Sequence, residues 1–152
     1  MRIRPLIPSD VPAAARLLRT LSAQHILQDC RPEDAAAFLR EHDASGIARQ
    51  LAAGVVYHVA TVDEALAGFI ALREQRHVFH MFVDQAYQRR GIARALWQEA
   101  LQAAGNPPAV TVNASNVAVP VYQALGFVPT APMQTRNGIA FNPMQYEGKV
   151  HA

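Results

Sequence analysis

Residues Val78–Trp97 read VFHMFVDQAYQRRGIARALW. The run Val78–Val83 is apolar apart from His80, which predicts a central strand covered on both faces. A polar loop follows, and from Gly91 onward Ile92, Leu96 and Trp97 recur at helical spacing. The helix is expected over Arg90–Ala104, ended by Gly105 before Pro107-Pro108. A strand, a loop and a helix start in this order suit an anion. Unpaired amides at a helix N-terminus and the helix dipole both favour negative charge. Gly91 lets the backbone approach a phosphate where a Cβ would intrude, and Ala93 is also small. Arg89, Arg90 and Arg94 add positive charge nearby. There is no Gly-Lys-Ser/Thr and no three-glycine fingerprint, so the segment is neither a P-loop nor a dinucleotide-binding turn. On these residues alone, an ordinary surface turn with solvated arginines stays open.

Upstream, Arg2–Ile7 alternates as a strand. Helices are expected from Val11 to about Leu27, from Pro32 to Arg40 and from Ser45 to Ala52. The period then changes: Val55–Val62 and Leu66–Arg73 read as strands, with turns at Asp63-Glu64 and Glu74–Arg76. Downstream, Ala109–Asn113 is a strand, Val117–Leu125 a helix closed by Gly126, and Phe127–Thr130 and Gly138–Tyr146 final strands. The expected fold class is α/β, one domain over residues 1–152, with helices flanking a mixed sheet.

Composition narrows the function. A chain of 152 residues with 51% hydrophobic content fits one domain with a real core. The formal charge of +2 is too small for a nucleic-acid binder that relies on a dense basic face. Lys149 is the sole lysine, which disfavours an internal Schiff base. One cysteine, Cys30, precludes an intramolecular disulfide and a multi-cysteine metal cage. No stretch approaches the ~18–20 apolar residues of a membrane span, and no signal-peptide core follows Met1. A cytoplasmic protein with no membrane and no nucleic-acid partner is expected.

A second motif stands at Val112–Pro129, VNASNVAVPVYQALGFVP. Together with the strand–Gln88-Arg89-Arg90-Gly91-Ile92-Ala93–helix unit, it resembles the GNAT superfamily of N-acetyltransferases. Gln-x-x-Gly-x-Ala after a strand ending in Val matches that family's acetyl-CoA-binding motif. Tyr122, Gly126 and Phe127 match its later Tyr-x-x-x-Gly-Phe. The resemblance covers about residues 1–147, and the ending Asn137–Met144 is similar to that of small bacterial members. One departure concerns the Asn seven residues before the Tyr, where this chain has Ser115, flanked by Asn113 and Asn116.

The resemblance implies a mostly antiparallel sheet splayed between its two central strands and acetyl-CoA as cosubstrate; His42, His58 and His151 show no metal-ligand spacing with one another, so no metal is expected. The resemblance also implies direct attack of an acceptor amine, from a small molecule or a protein, on the thioester; a homodimer stays open. Met81 and Val83 would offer backbone groups to pantetheine and the thioester. Gln88, Arg89, Arg90, Gly91, Ile92, Ala93 and Arg94 would hold the pyrophosphate, and Asn116 is the candidate for the displaced Asn role. Tyr122 would be the general acid, protonated at neutral pH; a packing tyrosine is the alternative. Glu74, His77 and His80 are candidate bases. Strand alternation places His77 with Phe79, Met81 and Val83 and turns His80 the other way, and His77 is preferred for its place at the strand start. A water chain or a satisfied polar residue stays open. His25, Asp29, Glu33 and Asp34 fall where the family lines its acceptor site. Cys30 has no nucleophilic role in direct transfer. Two other readings compete: a non-catalytic acyl-CoA-binding or sensor module, and a domain that binds another nucleotide phosphate at Gln88–Ala93.

Overall fold

The change of period at residue 55 separates two kinds of segment. Before it, apolar residues repeat every three to four positions and form helices α1 (Val11–His25), α2 (Pro32–Glu41) and α3 (Ala44–Ala52). After it, alternation produces the antiparallel run β2 (Val56–Val62), β3 (Ala65–Arg73) and β4 (His77–Val83). The computed structural model describes residues 1–28 and 30–148; Asp29 lies outside them. The remaining elements are β1 (Arg2–Pro5), α4 (Ile92–Ala103), β5 (Ala109–Ala114), α5 (Val119–Ala124), β6 (Phe127–Pro129), β7 (Gln134–Arg136) and β8 (Ile139–Glu147). The strand order is β1-β2-β3-β4-β5-β8-β6, with β7 on β8. Every pair is antiparallel except β4 with β5.

Helices cover both faces. Leu17, Leu18 and Leu21 of α1 and Ile47 of α3 pack on Tyr57, Val59, Phe69 and Ala71. Leu96, Trp97 and Ala100 of α4 pack on Ile70, Leu72, Val78 and Val110 from the other side. Each buried leucine, isoleucine, valine or phenylalanine among them contributes roughly 1.5–3 kcal/mol. The alternation in β3 decides this, with Phe69 and Ala71 facing one layer and Ile70 and Leu72 the other. β3 is therefore the strand buried on both faces. The expectation had been β4, but of its residues only Val78 is fully buried. The rest of β4 borders a cavity.

Several boundaries shift for physical reasons. α4 begins at Ile92 rather than Arg90 because Gly91, its N-cap, has φ 78, and a left-handed residue cannot continue a helix backwards. α5 is shorter than Val117–Leu125, because a turn over Ser115–Ala118 precedes it and Pro120 sits in its first turn. β7 was not expected. It forms a hairpin with β8 through Asn137 (φ 52) and Gly138 (φ 77), the two positive φ values of a type I′ turn.

The alternation in β4 also breaks. Leu72 aligns with Val78 and Ala71 with His80, so one step on β3 spans two on β4 and Phe79 is the extra residue of a bulge. Ala71 and Arg73 share a face of β3, so their partners His80 and His77 also share one, that of the α1–α3 layer. This corrects the sequence expectation that the two histidines point oppositely. Phe79 likewise packs with the α1–α3 layer, whereas Met81 and Val83 pack with the α4 layer.

Candidate active site

β4 and β5 pair only at His77–Thr111 and Val78–Val112. Beyond Val78 they diverge, and the split opens a cavity of about 1130 Å³ that runs from the α4 N-terminus to α2 and the β7–β8 hairpin.

One end is built by the loop and α4. Asp84 anchors the loop: its amide donates to the Ala67 carbonyl at 2.8 Å, and its carboxylate accepts from the Ala86 amide at 3.0 Å. Gln88 Nε2 donates to the Val83 carbonyl at 3.0 Å. Arg89 (φ 66) and Gly91 (φ 78) turn the chain into the helix. The first α4 bond runs from the Ala95 amide to the Gly91 carbonyl at 3.0 Å. The amides of Ile92, Ala93 and Arg94 therefore have no acceptor within the helix. A Cβ on Gly91 would meet no protein atom within 4 Å, so the glycine is required by its left-handed φ.

Gln88, Arg89, Gly91, Ile92, Ala93 and Arg94 line the cavity, as do Met81 and Val83. Arg90 does not; its guanidinium lies over the Tyr87 ring, 5.5 Å from the centroid. Arg94 also donates to the Ala124 carbonyl at 2.9 Å, tying α4 to α5. Asn116 is outside the wall too, its side-chain oxygen accepting from Asn142 Nδ2 at 2.8 Å. Asn113 and Ser115 line the cavity instead.

Tyr122 forms part of the middle of the wall. Its ring is buried and edge-on to Phe127, with centroids 5.3 Å apart. Burial pushes its hydroxyl well above the ordinary phenol range, so it keeps its proton at neutral pH. His77 stands at the paired end of the split. Its Nδ1 lies 2.8 Å from Thr111 Oγ1, and burial, then Arg73, lower its pKa. His80 lies past the bulge, where the gap has opened. The residue is half-buried and borders the cavity, while Nε2 is enclosed with no hydrogen-bond partner.

At the far end, His25 and Asp34 line the cavity and Glu33 does not. Asp34 is the only acid in the wall among the described residues. Its Oδ2 is enclosed, 3.5 Å from Arg31 Nε, and a Cβ on Gly138 would collide with it. Cys30 Sγ meets the Gly138 carbonyl at 3.2 Å on the same hairpin. Wall residues that were not anticipated include Phe38, Arg73, Arg136 and Phe141. Arg136 lies over Phe141 (5.2 Å) and Arg73 over Phe79 (5.5 Å). The Asn137-Gly138 dipeptide between Gln134–Arg136 and Ile139–Phe141 was the available signal for the last hairpin. Among the described residues no group of three or more His, Cys, Asp or Glu could hold a metal, and no helix is long and apolar enough to cross a membrane.

The split sheet, helix-start cradle and Tyr-x-x-x-Gly-Phe unit define an acetyltransferase fold. The family model for the acetyltransferase (GNAT) domain matches residues 26–148, and the chain belongs to that family. Solved structures agree in fold. A GCN5-related N-acetyltransferase from Rhodopseudomonas palustris is 23% identical, with TM-score 0.79, covering 96% of this chain and 94% of its own. PaiA N-acetyltransferase from Thermoplasma acidophilum, solved with coenzyme A, is 15% identical, with TM-score 0.78 and coverage of 97% and 98%. The ribosomal-protein-S18-alanine N-acetyltransferase from Escherichia coli is 20% identical, with TM-score 0.67 and coverage of 99% and 96%. No curated protein sequence matches the chain.

Proposed function

We propose that the chain transfers the acetyl group of acetyl-CoA directly to an amine. The observation that carries this is the split between β4 and β5, which joins the acceptor-free amides of α4, Tyr122 and the Asp34 end in one cavity. PaiA, a protein of the same fold, was solved with coenzyme A, which supports acetyl-CoA as the acetyl donor here.

The pyrophosphate lies against the amides of Ile92, Ala93 and Arg94, with Arg89 adding charge. Pantetheine runs along the gap past Val83 and Met81, whose backbone stands at its edge. The acceptor enters from the α2 and β7–β8 end, where Asp34 draws a cationic amine. The bound ammonium loses a proton, its lone pair attacks the thioester carbonyl so that the N–C bond forms and the C–S bond breaks, and a second N–H proton leaves to give the neutral amide. Tyr122 gives its proton to the departing sulfur, and its raised pKa keeps that proton in place beforehand.

An amine panel assayed by release of free CoA tests this, with small amines and peptide N-termini as separate arms. Turnover with any amine supports transfer. Tight acetyl-CoA binding with no turnover on the whole panel would favour a sensor module. Binding of ATP without acetyl-CoA would remove the cradle assignment.

A further inference from the structure

The gap in the sheet begins one residue past the last β4–β5 pair, at the bulged Phe79. The bulge turns His80 toward the α1–α3 layer, the side from which the Asp34 end of the cavity opens. His77 is one step outside the gap and is engaged with Thr111.

His80 is set among aromatic rings. Its centroid is 4.9 Å from His42, 4.3 Å from Phe79 and 5.6 Å from Phe82. Nε2 is shut in among them without a hydrogen-bond partner. Ring faces are electron-rich: they accept an N–H weakly and repel a lone pair. This favours the tautomer with hydrogen on Nε2. Nδ1 is then the bare nitrogen left for the cavity, which His80 lines. Burial, then His42, then His77, hold the ring well below the ordinary imidazole range, so it stays neutral. The groups facing it are His42 after α2, His77 on β4 and Arg73 on β3, with His25, Asp34 and Arg136 across the cavity.

We propose that His80, through Nδ1, is the general base that takes the proton from the attacking amine. This rests on the acetyl-transfer reading. The bound ammonium first gives one proton to His80, which frees the nitrogen lone pair; the N–C bond then forms, and the second N–H proton leaves to solvent as the amide is made. The C–S bond breaks with Tyr122 protonating the sulfur. Solvent then takes the proton from His80 and restores the one on Tyr122.

The test uses the full chain with the best amine of the panel. His80→Gln should bind acetyl-CoA within about 2-fold of wild type by calorimetry while kcat falls about 10²–10³-fold. Without a base only free amine reacts, so its kcat/KM should climb tenfold per pH unit up to the amine's own pKa. Wild type should level off earlier. Added imidazole should partly rescue His80→Ala. Wild-type turnover in His80→Gln would overturn the base alone. A loss without the steeper pH slope and without rescue would also overturn it, as would a larger loss, with that slope, in His77→Gln. A wild-type chain that binds acetyl-CoA but acetylates no amine would overturn transfer and the base together.

Discussion

Gln88 reaches back five residues to donate to the Val83 carbonyl at 3.0 Å. The side chain that opens the loop motif thus holds the end of the strand before it, so loop and strand keep one spacing. Gln88→Ala removes one exposed hydrogen bond, worth about 0.5–1.5 kcal/mol. The KM for acetyl-CoA should rise about 3–10-fold with kcat little changed, as read by steady-state kinetics at saturating amine.

Gly91→Ala should cost about 1–2 kcal/mol, because the residue must hold φ 78 and no protein atom crowds a new Cβ. Thermal melting should show a fall of a few °C for a domain of this size. Gly91→Asn should fall less, since asparagine tolerates the left-handed region. Equal losses for the two would point away from φ as the cause.

Tyr122→Phe keeps the ring against Phe127 and removes the proton donor. The kcat should fall about 10²-fold with the KM for acetyl-CoA unchanged. The raised pKa carries a sign for wild type: a proton donor loses activity as pH rises through its pKa, so no loss from this group should appear up to about pH 10. A basic limb near pH 9 that vanishes in Tyr122→Phe would contradict the raised value.

Among the described residues Asp34 is the one acidic group in the wall, and Asp34→Asn removes it. For a cationic amine a charged hydrogen bond is worth about 1.5–3 kcal/mol, so the KM for the amine should rise about 10-fold or more. The KM for acetyl-CoA should stay put. An unchanged KM for every cationic amine would exclude Asp34 from acceptor binding.

Gly138→Ala meets two obstacles, φ 77 and the Asp34 carboxylate. A loss of about 2–3 kcal/mol is expected in denaturant melts. Asp34→Ala in the same chain should recover about 1 kcal/mol, since it removes the collision and leaves the strain. Strict additivity of the two changes would show that the residues do not touch.

Local signals carried most of the fold. The periods of Ala14, Leu17, Leu18 and Leu21 and of Ile92, Leu96 and Trp97 define helices because spacing along the chain is spacing around the axis. The Gln88–Ala93 loop was legible because its glycine, its small residue and its place before a helix are local requirements of an anion site. Tyr122 was legible through its company, Gly126 and Phe127. The last hairpin was missed because Gln134–Arg136 is short and fully exposed, with no apolar alternation, and only Asn137-Gly138 marked it.

The amino-acid order by itself determined an α/β domain, the loop and helix start at Gln88–Ala93 and the Tyr122–Phe127 unit, each set by residues within a few positions of one another. It could not place His80. Alternation along β4 assigns a face only while one residue opposes one residue, and the bulge at Phe79 depends on pairing with β3. Nor could it place Arg90 and Asn116, whose side chains turn to Tyr87 and Asn142 rather than to the cavity. The Asp34 end depended on contacts across more than a hundred residues, where α2 meets the β7–β8 turn. Contacts at that separation leave no periodicity in the chain, so only the packed structure decides them.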